Sequence, residues 1–395
     1  MDILIVILYI VMFLLVWQFV GYPALMGSIA FISRKYTKNN DNTFKTSVSI
    51  LVPTYNEEKV IRLRLTNLMK LNYPNELYEI IVVDSGSNDK TKEIVEEIMD
   101  KQINLKPELK LAIQSERKGK ASAINFGKQH CNGEIVLVTD ANAIFEKNVL
   151  NEIIPCFKDS NVGGVGGRFV VSNPNANLTS STQFYWTIEY IMRMGESILD
   201  SVCLFHGEMH AWRKGLIHCD EKIISEDLNI AIQLRKAGYK LKYAPDALVF
   251  EQTPNNIDEQ IIQRTKTTVG TLQNIFKYWK FFIIPRNLYV AFIFPSHKIL
   301  PMLSPFLLFS VLVLYILIWN INVILINIFI CIMIFGCLLI YLLIIKSYFE
   351  RNKVSGSFSL FKIVKYVLIN EFIVLKGWKD YIFNNYSVLW EKVSR

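Results

Sequence analysis

Two long stretches of the chain contain no charged residue, and they set the first division of the sequence. The first runs from Ile3 to Ser33, and the second lies between Lys298 and Lys346. A helix needs about 20 apolar residues to cross a bilayer, so the first stretch predicts one span and the second predicts two. Residues 319–322, Trp-Asn-Ile-Asn, would form the polar turn between these two spans. The pattern therefore predicts an integral membrane protein.

The first stretch could instead be a cleaved signal peptide. It has no basic segment before it and is longer than a typical signal core, which favours an uncleaved anchor over residues 1–33. Basic residues follow the first and third predicted spans, namely Arg34, Lys35, Lys38, Lys346, Arg351 and Lys353. Because short basic flanks normally stay in the cytoplasm, we expect a multi-pass protein of the cell membrane with a cytoplasmic middle part.

Between the spans, short β-branched runs alternate with helical patterns. The run SVSILVP leads into a polar loop at residues 54–58 and then a helical pattern from Val60 to Met69, and the runs YEIIVVD and GEIVLVTD are arranged similarly. Strand, loop and helix in repeated order predict an α/β fold with a mainly parallel sheet. We assign this domain to residues 47–250, after a polar linker at 34–46.

The remaining segments mix apolar and charged residues. Residues 251–298 are aromatic and basic around Pro285, which predicts interfacial helices, and residues 299–345 hold the two later spans. In residues 346–395, lysines and Glu371 interrupt the apolar pattern, which favours an amphipathic helix and tail on the inner surface. The alternative is a fourth span.

Composition narrows the classes of partner. The 395 residues are 51% hydrophobic, and 43 Lys and Arg exceed 35 Asp and Glu to give a net charge of +8. The mean hydropathy of +0.27 is unusual for a nucleic-acid-binding protein, so we expect a lipid bilayer as partner and no nucleic acid. The six cysteines include no Cys-x-x-Cys pair, which argues against a disulfide scaffold or zinc site. The sequence leaves the oligomeric state open.

Acidic and amide side chains follow two of the predicted strands. Asp84 ends the second strand, and Asp140 and Asn142 follow the third. Because the carboxyl ends of parallel strands meet at one edge of a sheet, these side chains should converge on one crevice. The oxygens of Asp140 and Asn142 are hard ligands that suit Mg²⁺ or Mn²⁺.

The motifs VPTYNEE, VVDSGSNDKT, GKASAINFG, TDANA and SEDLNIAIQLRKAG occur in an order and spacing that carry a family resemblance. Together they resemble the nucleotide-sugar half of the family 2 inverting glycosyltransferases, which have a GT-A fold. The resemblance covers residues 47–273. It implies a membrane-bound enzyme that moves a sugar from a nucleotide diphosphate donor, such as a UDP-sugar, to a membrane lipid or lipid-linked glycan.

The resemblance also assigns roles. It makes Asp227 the general base and Asp140 with Asn142 the metal ligands, where the family usually has Asp-x-Asp. The donor-binding candidates are Thr54, Asn56, Glu57, Asp84, Lys120, Asp140, Gln263 and Lys266. The acceptor-binding candidates are Gly207, Glu208, Arg213 and Glu226, with His210 and Trp212 nearby. Glu226 and Asp227 could also cap the helix that follows them, a role compatible with catalysis.

Processive members of the family carry Gln-x-x-Arg-Trp after the base. Here Lys266 and Thr267 replace the Arg and Trp, which removes a planar guanidinium and an aromatic ring on which a sugar could stack. This departure favours a non-processive or short-product transferase over a polysaccharide synthase that exports its polymer. A catalytically silent membrane scaffold is the second alternative, but Asp84, Asp140 and Asp227 together favour an enzyme.

Overall fold

The computed structural model describes residues 2–33, 43–101, 106–172, 179–252, 257–318, 327–328 and 360–389. Apart from residues 327–328, the third predicted span lies outside these residues, as do the polar turn at 319–322 and the basic flanks of the spans. The described part contains one mixed sheet, the helices around it and two long apolar helices.

Eight strands form the sheet in the order β3-β2-β1-β4-β7-β6-β8-β5. All strands run parallel except β7 and β5, which are antiparallel to their neighbours, so the α/β prediction with a mainly parallel sheet is confirmed. The strands are β1 (Val48–Thr54), β2 (Tyr78–Asp84), β3 (Glu108–Ile113), β4 (Ile135–Thr139), β5 (Ile144–Phe145), β6 (Val162–Val171), β7 (Met209–Arg213) and β8 (Lys240–Glu251).

Helices cover both faces of the sheet, which explains why its central strands are almost continuously apolar. Ile50 and Val52 of β1 pack in one core cluster, and Leu51 between them packs in the other. The helices are α1 (Asp2–Ser33), α2 (Ile61–Leu68), α3 (Thr91–Lys101), α4 (Lys120–Gly127), α5 (Val149–Ile153), α6 (Thr179–Leu199), α7 (Glu226–Lys236), α8 (Ile257–Lys277), α9 (Trp279–Ile283), α10 (Tyr289–Ile318) and α11 (Leu360–Ile382).

The strand register brings several loops to one edge of the sheet. Thr54 at the end of β1 pairs with Asp84 at the end of β2. Thr139 at the end of β4 pairs with Met209 at the start of the antiparallel strand β7. The loops after β1, β2 and β4 and the segment before β7 therefore open on the same side, which we call the site edge.

Helices α1 and α10 are, by length and composition, suited to cross a membrane. Large apolar side chains on both helices face outward rather than into a core: Phe13 is 63% exposed, Phe309 67% and Ile316 72%. Helix α10 begins at Tyr289, ten residues before the boundary predicted at 299. That boundary follows Lys298, the last charged residue before the uncharged stretch. The helix nevertheless continues through Lys298, and His297 beside it pairs with Glu196 inside the protein.

A buried polar junction joins both apolar helices to α6. Glu196 accepts a hydrogen bond from the Tyr22 hydroxyl of α1 at 2.6 Å, and its other oxygen accepts one from the Cys203 amide at 2.9 Å. The His297 ring of α10 lies 2.5 Å from the same carboxylate. Because unpaired charges are costly in an apolar setting, this junction fixes where α1 and α10 meet the sheet domain.

Helix α11 packs along α8 and reaches α10. Trp378 donates its indole hydrogen to the Met302 carbonyl at 2.8 Å, and Ser304 donates to the Glu371 carboxylate at 2.6 Å. Gly377 permits the close approach, since a Cβ there would lie 2.7 Å from Thr268 Cβ. Glu371, which interrupted the apolar pattern in the sequence, is therefore partnered inside the helix packing.

Candidate active site

Lys120 joins three segments at the site edge. As the first residue of α4, it places its Nζ 2.7 Å from Asp140 Oδ1 and 2.9 Å from Glu226 Oε1, and donates to the Gly207 carbonyl at 3.2 Å. Burial opposes its charge, but the Asp140 and Glu226 carboxylates outweigh burial and hold the Lys120 pKa well above its ordinary value. The lysine is therefore a fixed positive charge among carboxylates.

Asp227 lies beside this cluster in the first turn of α7. Its side chain is half-buried, and Oδ1 accepts a hydrogen bond from the Leu228 amide at 2.8 Å. Burial and the neighbouring Glu226 carboxylate raise the pKa of Asp227 to about 6. A carboxylate of this pKa is ionised at neutral pH and still basic enough to take a proton from a hydroxyl group during reaction.

Helix α8 holds the segment that leads into α7. A Cβ at Gly270 would lie 2.7 Å from the Ser225 backbone nitrogen, so only glycine allows this contact. The Asn274 amide donates to the Ser225 carbonyl at 3.2 Å, and Gln273 Oε1 accepts from the Ile224 amide at 3.0 Å. Gln263 and Lys266 lie half-buried earlier on the same helix.

Glu208 comes to the site edge just before β7. Its carbonyl accepts from the Thr139 hydroxyl at 2.8 Å, while its buried Oε2 has no hydrogen-bond partner among the described residues. Burial, followed by the carboxylates of Glu251 and Asp140, raises the Glu208 pKa to about 8. Asn142, on the loop after β4, donates its side-chain amide to Glu251 Oε1 at 2.9 Å. This part of the edge is rich in carboxylate and amide oxygen atoms.

Two further loops form the other side of the site edge. Asp84 is 2% exposed; its Oδ2 accepts from the Ser87 amide at 3.1 Å, and its Oδ1 is buried without a hydrogen-bond partner among the described residues. Asn56, with a positive φ of 56°, joins the two loops, because its amide donates to Ser87 Oγ and its Oδ1 accepts from the Asn88 amide, each at 2.9 Å.

The remaining candidates on these loops support the backbone. The Thr54 hydroxyl donates to the Val83 carbonyl at 3.1 Å, and the Glu57 amide donates to Thr91 Oγ1 at 2.7 Å. Arg117 lies over the Tyr55 ring at 3.9 Å from its centroid, which gives this side a flat cationic surface.

The structure does not bring Arg213 to the site edge. Arg213 pairs with Ile135 at the opposite end of β4, and its guanidinium donates to the carbonyls of Phe157 and Val162 at 2.6 and 2.9 Å. His210 and Trp212 are fully buried and stacked on each other with ring centroids 5.5 Å apart. Arg213 lies away from the site because β7 runs away from the site edge. His210, the second residue of β7, still lies near Lys120 and Asp140, and burial together with the Lys120 charge lowers the pKa of His210 to about 4.

Two charged residues near the site were not selected from the sequence. Glu251 is buried at the end of β8, and Arg64 of α2 is fully buried below the β4 loop. Burial lowers the Arg64 pKa to about 9, against the opposing effect of Asp140 and Glu251, so the guanidinium remains charged at neutral pH. A signal existed for Arg64: it shares the apolar helix face of Ile61, Leu65 and Leu68, where a charge is out of place.

Within the described residues, no three His, Cys, Asp or Glu side chains lie close enough to hold a metal ion by themselves. Four side chains bring oxygen atoms to the same region: Asp140, Asn142, Glu208 and Glu251. Such a set fits a hard divalent cation only if some of its ligands come from a bound anion.

The sheet order and the acidic loops at its site edge define a GT-A fold. A mannosyltransferase from Pyrobaculum calidifontis, solved with GDP-Man and Mn²⁺, superimposes with a TM-score of 0.68 at 22% identity, covering 96% of this chain and 99% of that one. The family model "Glycosyl transferase family 2" matches residues 49–219, and "Glycosyl transferase family group 2" matches residues 135–345. The chain therefore belongs to the family 2 glycosyltransferases.

Curated relatives match the chain over part of their length. The probable glycosyltransferase YdaM of Bacillus subtilis is 31% identical over 248 residues, which are 61% of this chain and 59% of YdaM. The beta-monoglucosyldiacylglycerol synthase of Trichormus variabilis is 29% identical, over 59% of this chain and 50% of that protein. The poly-beta-1,6-N-acetyl-D-glucosamine synthase of Staphylococcus aureus is 27% identical, over 56% and 54%. The chain thus spans between half and three-fifths of these relatives.

Proposed function

We propose that this protein is a membrane-bound inverting glycosyltransferase that moves a sugar from a nucleoside diphosphate donor, such as a UDP-sugar, to a membrane lipid or lipid-linked glycan. The observation that carries the proposal is the arrangement around Lys120, which ties Asp140 on the donor side to Glu226 beside Asp227. In this arrangement Asp140 can bind the cation that accompanies the diphosphate, and Asp227, whose pKa is raised, can accept a proton.

The nucleoside is recognised on the Asp84 side of the site edge. The buried, unpartnered Oδ1 of Asp84 supports this assignment, because it can accept the imide hydrogen of a uracil. Thr54, Asn56 and Glu57 shape the neighbouring loop. The Tyr55 ring and Arg117 present a flat surface beside it that suits a base or ribose.

The diphosphate lies beside the Lys120–Asp140 ion pair. Asp140 and Asn142 would hold a divalent cation, Mg²⁺ or Mn²⁺, with diphosphate oxygens as further ligands; when bound, it neutralises the charge of the leaving group. Lys120 contributes a second positive charge at the same phosphates. Gln263 and Lys266 of α8 can add amide and ammonium contacts to the donor.

Asp227 acts as the general base. Its carboxylate takes the proton of the acceptor hydroxyl as the oxygen attacks the anomeric carbon, and the bond from that carbon to the diphosphate breaks on the opposite face. The configuration inverts in this single displacement, the proton remains on Asp227, and the nucleoside diphosphate departs. Gly207, Glu208 and Glu226 line the acceptor side.

We infer that the acceptor lies in or at the membrane. Two apolar helices tied to the sheet domain through the Glu196 junction support a membrane-bound enzyme whose multi-pass anchor keeps the active site in the cytoplasm. Thr267, where processive members carry Trp, favours a lipid or short glycan product over an exported polymer. The alternative is a processive synthase.

The test is product analysis with membranes that contain the full chain. They are incubated with Mn²⁺ and labelled UDP-glucose, UDP-galactose, UDP-N-acetylglucosamine or GDP-mannose, and label is followed into lipid extract and polymer. We expect one donor to label the lipid extract and Asp227→Asn to lower the rate about 10²- to 10⁴-fold with donor binding retained.

The matched control is Asp246→Asn, which changes an exposed aspartate on β8 and should keep the parental rate. Asp227→Asn activity within threefold of the parent would exclude Asp227 as the base. Label in polymer alone would favour the processive synthase, and no turnover with any donor would favour a silent scaffold.

A further inference from the structure

Helix α2 bonds to both ends of the loop that carries Asp140 and Asn142. At the start of the loop, Arg64 Nη2 donates to the Thr139 hydroxyl oxygen at 2.5 Å. At its end, Asn67 Oδ1 accepts from the Phe145 amide and Asn67 Nδ2 donates to the Phe145 carbonyl, each at 2.9 Å. Two side chains one turn apart on one helix thus hold residues 139–145 from below.

Arg64 and Asn67 also support each other. Arg64 Nη1 donates to Asn67 Oδ1 at 2.8 Å, and the guanidinium lies over the Phe145 ring at 4.1 Å from its centroid. Arg64 is 0% exposed, and a buried arginine is costly unless its charge is compensated. Its hydrogen-bond partners Asn67 and Thr139 are neutral, so the compensation comes from the acidic groups of the site above it.

The same contacts extend to the acceptor side. The Thr139 hydroxyl that accepts from Arg64 donates in turn to the Glu208 carbonyl at 2.8 Å. Arg64 is therefore connected through one hydroxyl group to the backbone of Glu208, and through Asn67 to the far end of the Asp140 loop.

We propose that Arg64 and Asn67 are positioning residues that hold the Asp140–Asn142 loop and the Glu208 backbone in the geometry needed to bind the donor diphosphate and its cation. Neither residue touches the donor; both act through the loop. The inference rests on the proposed function, because that function assigns the loop to the diphosphate.

The first experiment measures the loop itself and needs no turnover. Amide hydrogen exchange is followed by mass spectrometry on the full chain in detergent, in Arg64→Met and in Asn67→Ala. We expect exchange in the segment 139–146 to accelerate on the order of tenfold, because a hydrogen bond to a charged or buried group is lost there, with β2 unchanged. Arg62→Met is the matched control, since Arg62 is an exposed arginine of the same helix that pairs with Glu97.

The second experiment separates positioning from mere folding. We expect both variants to raise the half-saturating concentrations of donor and of Mn²⁺ on the order of tenfold, with a smaller change in kcat. Arg64→Lys keeps the positive charge but loses the planar guanidinium, so its half-saturating concentrations should lie between those of the parent and of Arg64→Met. Loss of folding alone would lower the amount of active enzyme without changing half-saturation.

If Arg64→Met does not fold, the Asn67→Ala variant tests the proposal by itself, because Asn67 is half-buried and its truncation leaves the core intact. Unchanged loop exchange in folded Asn67→Ala, or unchanged half-saturation for donor and Mn²⁺, would overturn the proposal. If the unmutated protein showed no turnover, the proposed function would be refuted instead. The hydrogen-exchange experiment would still test whether Arg64 and Asn67 hold the loop.

Discussion

At the scale of single residues, the site depends on how burial and neighbouring charge act on Lys120 and Asp227. Both side chains are partly removed from water, which disfavours their charged forms. Two carboxylates restore the charge of Lys120, whereas for Asp227 burial and the Glu226 carboxylate outweigh the hydrogen bond from the Leu228 amide. The same burial therefore produces a fixed cation in one case and a proton acceptor in the other.

The pH dependence of transfer follows from Asp227. A general base works only when deprotonated, so a pKa of about 6 predicts that kcat rises with pH to a plateau, with half-maximal activity near pH 6. At one pH unit below that midpoint, about a tenth of the plateau rate should remain. Glu226→Gln removes a neighbouring charge that raises the pKa, so its midpoint should lie at lower pH. A parental profile that stays level through pH 6 would contradict the assignment.

At the scale of elements, the site is built where the β4–β5 loop meets the end of β8. Asn142 is the departure from the family's acidic pair, and the structure gives it a partner, the Glu251 carboxylate at 2.9 Å. A carboxylate at position 142 would face another carboxylate, whereas the amide can donate to it. The charge of Glu251 therefore favours an amide over a carboxylate at position 142.

This preference predicts a metal-dependent effect of Asn142→Asp. Without metal, repulsion from Glu251 should lower stability by about 1 kcal/mol, or roughly 2–4 °C in Tm for a domain of this size. With Mn²⁺ and UDP, the added carboxylate should increase the ligand-induced rise in Tm above that of the parent. The readout is thermal unfolding of the detergent-solubilised chain in both conditions.

A matched control distinguishes this effect from any Asn to Asp change. Asn161 donates its side-chain amide to Asp159 Oδ1 at the same 2.9 Å, but on the exposed surface. Asn161→Asp should therefore change Tm little, because water and salt screen the repulsion. An equal Tm for Asn142→Asp and the parent in metal-free buffer would show that the Glu251 contact is not important.

At the scale of the whole molecule, the proposed arrangement needs the sheet domain on the side where nucleotide sugars are made. Helices α1 and α10 meet α6 at the Glu196 junction, so the direction of the two apolar helices and the side of the site edge are linked. The basic residues after the first and third predicted spans favour a cytoplasmic site.

Cysteine labelling tests this topology. Asn88 is exposed on a loop of the sheet domain, so Asn88→Cys should react with a membrane-impermeant thiol reagent only after the cells are permeabilised. Asn320→Cys, between the two later predicted spans, should react in intact cells, and the parent chain serves as the control. Labelling of both positions in intact cells, or of neither, would contradict the arrangement. A tag after Arg395 then distinguishes three spans from four, inside for three and outside for four.

Much of the fold could be predicted because it depends on local order in the sequence. The repeated strand, loop and helix determine a parallel arrangement, and that arrangement alone puts the ends of β1, β2 and β4 at one edge with Asp84 and Asp140. The long uncharged stretches determine the apolar helices in the same way, since length and composition are properties of the chain itself.

The tertiary structure alone decided what depends on distant contacts. The direction of β7 follows from its pairing with β4 and β6, and this direction carries Arg213 away from the site. Thr139, which bonds to Arg64, and Glu251, which bonds to Asn142, lie 75 and 109 residues away along the chain, so no local pattern could reveal these contacts. The pairing of His297 within α10 could not be predicted for the same reason, because its partner Glu196 lies 101 residues earlier. Buried charges take their role from their partners, and only folding brings those partners together.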